Sequence, residues 1–373
     1  MLFLPINSVK ANEDIIETQY EIIENYEFDS FIQELNSNYK DYIPQYSFRD
    51  LINTLRGEEH YDLRSLSRGI ITFFFREIST NYHLLGQLII LSIICAVLKN
   101  VQGAFENNNI GKITYSVTYL VLIIIAIQSF EIALSVGREA IDNMVSFIQA
   151  LMPVVIALLA SIGGITSAAV FNPIIFMGVS VASTWIRNIL LPIIFFAAVL
   201  GLISNISDRF HVSALSSFIK QVCIFLLGLF LSVFLGLLVV QGAATSTVDG
   251  ISVRTAKFAS KNFIPIVGGI FSDTVDTIVG CSLILKNAIG LAGLLIVFLT
   301  TLFPIIKILA MVFVYKFAGA VIQPLGEESV VKCLNDMANH LVFIVITVSS
   351  VALMFFVGIT VIIASGNITV MMR

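Results

Sequence analysis

Residues 222–241 read VCIFLLGLFLSVFLGLLVVQ and contain no charged residue. A helix of about 20 apolar residues, rising about 1.5 Å per residue, is as long as the hydrocarbon core of a bilayer is thick. In hydrocarbon each backbone N–H and C=O must be satisfied within the segment, and a helix does this. The stretch therefore reads as a transmembrane helix. Working outward, comparable runs occupy residues 84–98, 117–136, 144–162, 168–185, 188–206, 288–304, 305–323 and 341–364. Residues 263–285 are apolar but interrupted by Gly268, Gly269, Asp273, Asp276 and Gly280, which suits a polar-faced span or a re-entrant hairpin. At Pro304 one long kinked helix and two short ones are equally compatible with the pattern. The expected fold class is all-α, a polytopic transmembrane helical bundle.

Composition agrees. Hydrophobic residues make up 57% of the chain and charged residues 12%, against about a quarter charged in an ordinary soluble domain. The charge is unevenly placed, because 14 of the 25 acidic residues and only 6 of the 21 basic ones lie between Asn12 and His83. The organisation expected is a signal-peptide-like remnant at 1–11, a small acidic helical and soluble segment at 12–83, and a multi-span membrane domain at 84–373. The remnant ends in Val9 and Ala11 but lacks a basic n-region and a full apolar core. If it acts as a signal, the segment after it is extracytoplasmic. Within that segment Phe28, Phe31, Ile32, Leu35, Tyr39 and Tyr42 recur at helical spacing, and Pro44 stops the helix. Ser47 with Asp50 starts a short helix carrying Leu51 and Leu55. A third stretch, 62–78, carries Leu66, Ile70, Phe73 and Phe74 on one side and suits a membrane surface.

The placement of Lys and Arg leaves the sidedness of the spans open. Pro153 and Pro192 are separated as Pro265 and Pro304 are, which permits two repeats, 139–240 and 251–352.

Ionisable groups at membrane depth are costly, so each is a candidate for function. Glu131 lies near the end of its run, and Lys307 follows Pro304. Asp273 and Asp276 sit one helical turn apart, and Thr277 and Gly280 extend the same face. These residues are candidates for a water-filled lumen or a subunit contact; snorkelling or mutual pairing would also accommodate them. Gly228, Ser232 and Gly236 are four apart, the spacing that lets membrane helices approach closely. Gly163–Gly164 and Gly268–Gly269, together with Pro153, Pro192, Pro265 and Pro304, are candidate packing or hinge positions.

No catalytic, cofactor-binding or metal-binding constellation is readable. The four His are scattered, the four Cys show no CxxC spacing, and no nucleotide-binding or nucleophile-elbow motif occurs. The expectation is therefore no enzyme and no cofactor. With no basic cluster to track phosphates, no nucleic-acid partner is expected either.

Two stretches are not generic membrane sequence: PVVIALLASIGGITSAAVFNP at 153–173 and KFASKNFIPIVGGIFSDTVDTIVGCSLILKNAIG at 257–290. With the signal-like start and the acidic helical segment, they resemble the stage III sporulation protein AE family over most of the chain. That resemblance implies a role in endospore formation, in the mother-cell-derived membrane around the forespore, with the N-terminal segment in the intermembrane space. It implies membership of a transenvelope channel or secretion-like complex linking mother cell and forespore. The implied partners are other stage III sporulation A-operon proteins, including the AA ATPase, and stage II sporulation protein Q, in a homo- or hetero-oligomer. It carries over no catalytic residue. The residues alone also admit a stand-alone secondary transporter or a non-conducting membrane scaffold of the same complex.

Overall fold

The structure, a computed structural model, describes residues 33, 36–37, 39–42, 63–104, 109–204, 213–263 and 267–372, with backbone alone over parts of the helices such as 267–278. The described residues form helices and the turns between them, and no strand. The signal-like remnant, Phe28, Phe31, Ile32 and Leu35, and the short helix expected from Ser47 with Leu51 and Leu55 all lie outside the described residues.

The first full helix, α1 (Leu63–Thr80), is amphipathic. Its apolar side is the one expected: Leu66, Ile70, Phe73 and Phe74 pack together with Leu299, Phe303 and Ile306. Tyr39 stacks on Phe303 with ring centroids 3.8 Å apart, and Tyr42 meets the edge of Phe73 at 5.1 Å. The Tyr42 backbone lies against Gly69, where a side chain would collide with it. Arg64, Arg68 and Arg76 are exposed, and Arg76 donates a hydrogen bond to the Tyr42 hydroxyl.

The body is a bundle of α2 (Tyr82–Ala104), α3 (Asn109–Ser161), α4 (Ile165–Trp185), α5 (Leu191–Ser204), α6 (Ser213–Phe263), α7 (Val267–Ile322) and α8 (Glu328–Met371). A π-helical turn, Ile186–Leu190, joins α4 to α5 without a break. Pro192 lies just beyond it; lacking an N–H, it cannot donate to the carbonyl of residue 188, and the widened turn absorbs that loss. Among the described residues, six stretches are long and apolar enough to cross a membrane.

Several runs that read as separate spans are one continuous helix. Runs 117–136 and 144–162 are both parts of α3, and runs 288–304 and 305–323 are both parts of α7, with Pro153 and Pro304 inside the helices. Charged residues such as Arg138, Glu139 and Asp142 end an apolar run but not a helix, because all are helix-compatible. Among the described residues, Gly163, at φ 91°, and Gly326, at φ 76°, are the glycines that take the left-handed backbone that turns the chain.

The helices pack side by side in a fixed register. Antiparallel α3 and α7 are pinned by Ser129 with Tyr315, by the Thr301 hydroxyl 3.2 Å from the Met144 sulfur, and by Gly293 against Leu151. Parallel α6 and α8 meet at Gly242 with Val361, where an added Cβ would lie 2.9 Å from a Val361 methyl. Lipid offers no hydrophobic drive for helices to associate, so close fit and interhelical hydrogen bonds hold such a bundle. The result is a tall body with two polar ends. One lies at Glu327 and the start of α8; the other lies at Asp249, Lys286 and the end of α8.

Candidate functional site

The chain SIGGITS at 161–167 cannot continue α3, because Gly163 takes a positive φ. The chain reverses there and α4 starts at Ile165, leaving backbone N–H groups without intrahelical partners. Asp249, on α6 and only 2% exposed, supplies them. Its Oδ1 accepts from the Thr166 N–H and its Oδ2 from the Ser167 N–H, both at 2.8 Å. The Ser167 hydroxyl donates to Thr245 Oγ1 at 3.1 Å. A carboxylate at a helix N-terminus also meets the positive end of the helix dipole. Asp249 is thus a cap delivered from another helix, and it ties α6 to the α3–α4 reversal.

Lys286 lies at the same end, on α7, and is fully buried. Its Nζ donates to the Ile363 carbonyl at 2.7 Å and to Asn367 Oδ1 at 3.0 Å, both on α8. Gly366 makes the room, since a side chain there would collide with Nζ. Among the described residues, no carboxylate lies within ion-pairing distance of Lys286. The Ser282 hydroxyl, Asn287 Oδ1 and the Ser365 hydroxyl are buried nearby along α7 and α8 without hydrogen-bond partners among the described residues. Thr369 reaches the Ser246 carbonyl at 3.5 Å and closes the contact between α6 and α8. The site is a buried cluster of polar groups on four helices, with an ammonium that has no counter-charge among the described residues.

The opposite end is built differently. Glu327 is 1% exposed and sits just before α8. Its Oε1 accepts from Lys99 at 3.1 Å and from the Tyr115 hydroxyl at 2.9 Å. Lys99 Nζ is also 3.0 Å from Oε2, an ion-pair contact without hydrogen-bond direction. This carboxylate is held by side chains, and its cation is half exposed.

The residues singled out in the sequence are dispersed. Glu131 and Lys307 are exposed on α3 and α7. Gly228, Ser232 and Gly236 lie on an exposed face of α6, and a Cβ at either glycine would meet nothing within 4 Å. Gly163 and Gly164 form the reversal described above. Gly268, Gly269, Asp273, Asp276 and Thr277 fall within α7, but their side chains lie outside the described residues, as does Pro265 altogether. Among the described residues no group of His, Cys, Asp and Glu could hold a metal ion. Asp249, Lys286 and Glu327 were not singled out. Lys286 carried a signal, a lone lysine inside CSLILKNAIGL, whereas nothing in TSTVDGIS announces a cap for a helix some eighty residues earlier.

Fold and site define a polytopic helical membrane protein with a buried polar cluster at one end and no recognisable catalytic centre among the described residues. Comparison with known proteins is specific. The model of the family described as stage III sporulation protein AE matches residues 46–366. Stage III sporulation protein AE of Bacillus subtilis (strain 168) is 38% identical over 361 residues, covering 97% of this chain and 90% of that relative. The chain belongs to the stage III sporulation protein AE family, and its role is in sporulation. No solved structure matches it.

Proposed function

We propose that this chain is a membrane-embedded core component of the transenvelope channel or secretion-like complex that links mother cell and forespore and is required for late forespore development. It resides in the mother-cell-derived membrane around the forespore, with its N-terminal segment in the intermembrane space. Its partners are other stage III sporulation A-operon proteins, including the AA ATPase, and stage II sporulation protein Q. The chain acts without a catalytic reaction of its own: no nucleotide motif is present, so energy comes from the ATPase.

The observation that supports this reading best is Lys286. A buried ammonium whose acceptors among the described residues are all neutral is costly in a low-dielectric interior. A purely packing bundle would gain from a methionine or leucine there, so its presence favours a polar task over inert scaffolding. Deletion of the gene in a spore-forming host tests the proposal. Engulfment is expected to finish, while late forespore transcription and heat-resistant spores are lost and a small impermeant tracer placed in the mother cell no longer reaches the forespore. Normal spore yield, or unchanged tracer passage in the deletion strain, would refute it.

A further inference from the structure

We infer that only the half of the bundle at the Asp249 end lies in lipid, and that the half at the Glu327 end stands outside the hydrocarbon. The helices are too tall for one bilayer. From Glu328 to Asn367 along α8 is about 60 Å at about 1.5 Å per residue, twice the thickness of a hydrocarbon core of about 30 Å. A belt of charge crosses the body at mid-height. Arg187 pairs with Asp142 at 3.3 Å, and Arg138 and Glu139 lie on the same stretch of α3. The contact of Met144 with Thr301 sets Lys307, two turns on from Thr301, level with Arg138. The pairing of Ser129 with Tyr315 sets Lys316 level with Glu131 just below. Glu131, Glu139, Arg187, Lys307 and Lys316 are all exposed.

Above the belt, up to the level of Arg254, the described outer surface of α3, α4, α6, α7 and α8 is free of charge. On α3 this holds from Asn143 to Ser161, and on α8 from Leu341 to Met371. Asp249 and Lys286 are buried, so the first exposed charge beyond them on α6 is Arg254. The span on α3 is about 30 Å, the thickness lipid requires. Below the belt α3 is again free of charge over residues 113–130, but α7 and α8 are not. There α8 exposes Glu328, Lys332 and Asn339, and Lys316 donates to Asn335 and Asn339 at 3.1 and 3.2 Å.

The position of α1 is an independent observation. Phe73 and Tyr39 pack on Phe303, one turn from Lys307, so this amphipathic helix with outward Arg64, Arg68 and Arg76 docks at the level of the belt. An amphipathic helix with basic residues on its polar side belongs at a membrane–water interface. The apolar runs thus fall into two sets. Runs 144–162, 168–185, 222–241, 288–304 and 341–364 cross the lipid. Runs 84–98, 117–136, 188–206 and 305–323 build the part that projects.

Tryptophan quenching by brominated acyl chains tests this in the full-length chain in bilayers. The single natural tryptophan, Trp185, is first replaced by Phe. Phe356→Trp then reports on the Asp249 half and Phe196→Trp on the Glu327 half; both are exposed aromatic positions, so the exchange is mild. Emission from Phe356→Trp is expected to fall by about half, and that from Phe196→Trp by about a tenth or less, as depth in the hydrocarbon dictates. Quenching at Phe196→Trp alone, equal quenching at both, or quenching at neither would overturn the assignment.

Discussion

The two ends of the bundle each bury a carboxylate, and they hold it in different ways. Glu327 is satisfied by side chains, Lys99 and Tyr115, from two neighbouring helices. Asp249 is satisfied by backbone, the first N–H groups of α4. The first arrangement tolerates loss, because half-exposed Lys99 can turn to water. The second does not, because backbone N–H groups at a fixed helix start have nowhere to go. The Asp249 end also buries a cation, Lys286, that has no counter-charge among the described residues. One end is a structural tie; the other combines a cap that holds the chain reversal with a buried cation that weakens the fold.

Substitutions can break this contrast, and their effects should descend in a definite order. Asp249→Ala leaves two buried N–H groups without acceptors and is expected to lower the unfolding free energy, measured in detergent, by about 3 kcal/mol. Gly163→Ala forces a side chain into the left-handed region and against a Val253 methyl 2.6 Å from the new Cβ. The same measurement should show a loss of about 2 kcal/mol. Glu327→Gln keeps an acceptor for Tyr115 and frees an already half-exposed lysine, so the expected loss is about 1 kcal/mol. A loss at Glu327→Gln larger than at Asp249→Ala would reverse the comparison. Lys286→Met has the opposite sign: removing a buried cation that has no counter-charge among the described residues is expected to raise stability by under about 1 kcal/mol.

The helices of the bundle were legible in the sequence because each carries a long apolar run, the pattern a membrane helix requires. The apolar side of α1, with Leu66, Ile70, Phe73 and Phe74, was legible for the same reason of spacing. What could not be read was which runs join end to end. Arg138 and Asp142 interrupt hydropathy without interrupting a helix, so α3 looked like two spans. The buried cluster was only half visible. Lys286 stands out in an apolar run, yet Lys307 stands out equally and proves exposed, because hydropathy is blind to which face turns inward. Asp249 and Glu327 depend on contacts between distant segments, which no local pattern encodes.

The central claim is that Lys286, at the Asp249 end, is kept for function at the expense of stability, and Lys286→Met tests it most directly. The variant, placed in the chromosome of a spore-forming host at wild-type protein levels, is measured for heat-resistant spores alongside the stability of the purified chain. The account predicts equal or greater stability together with spore yield reduced by at least about tenfold, since an ionisable group at membrane depth is held for its charge. Full spore yield from a stable Lys286→Met protein would contradict it and make the buried lysine a packing residue.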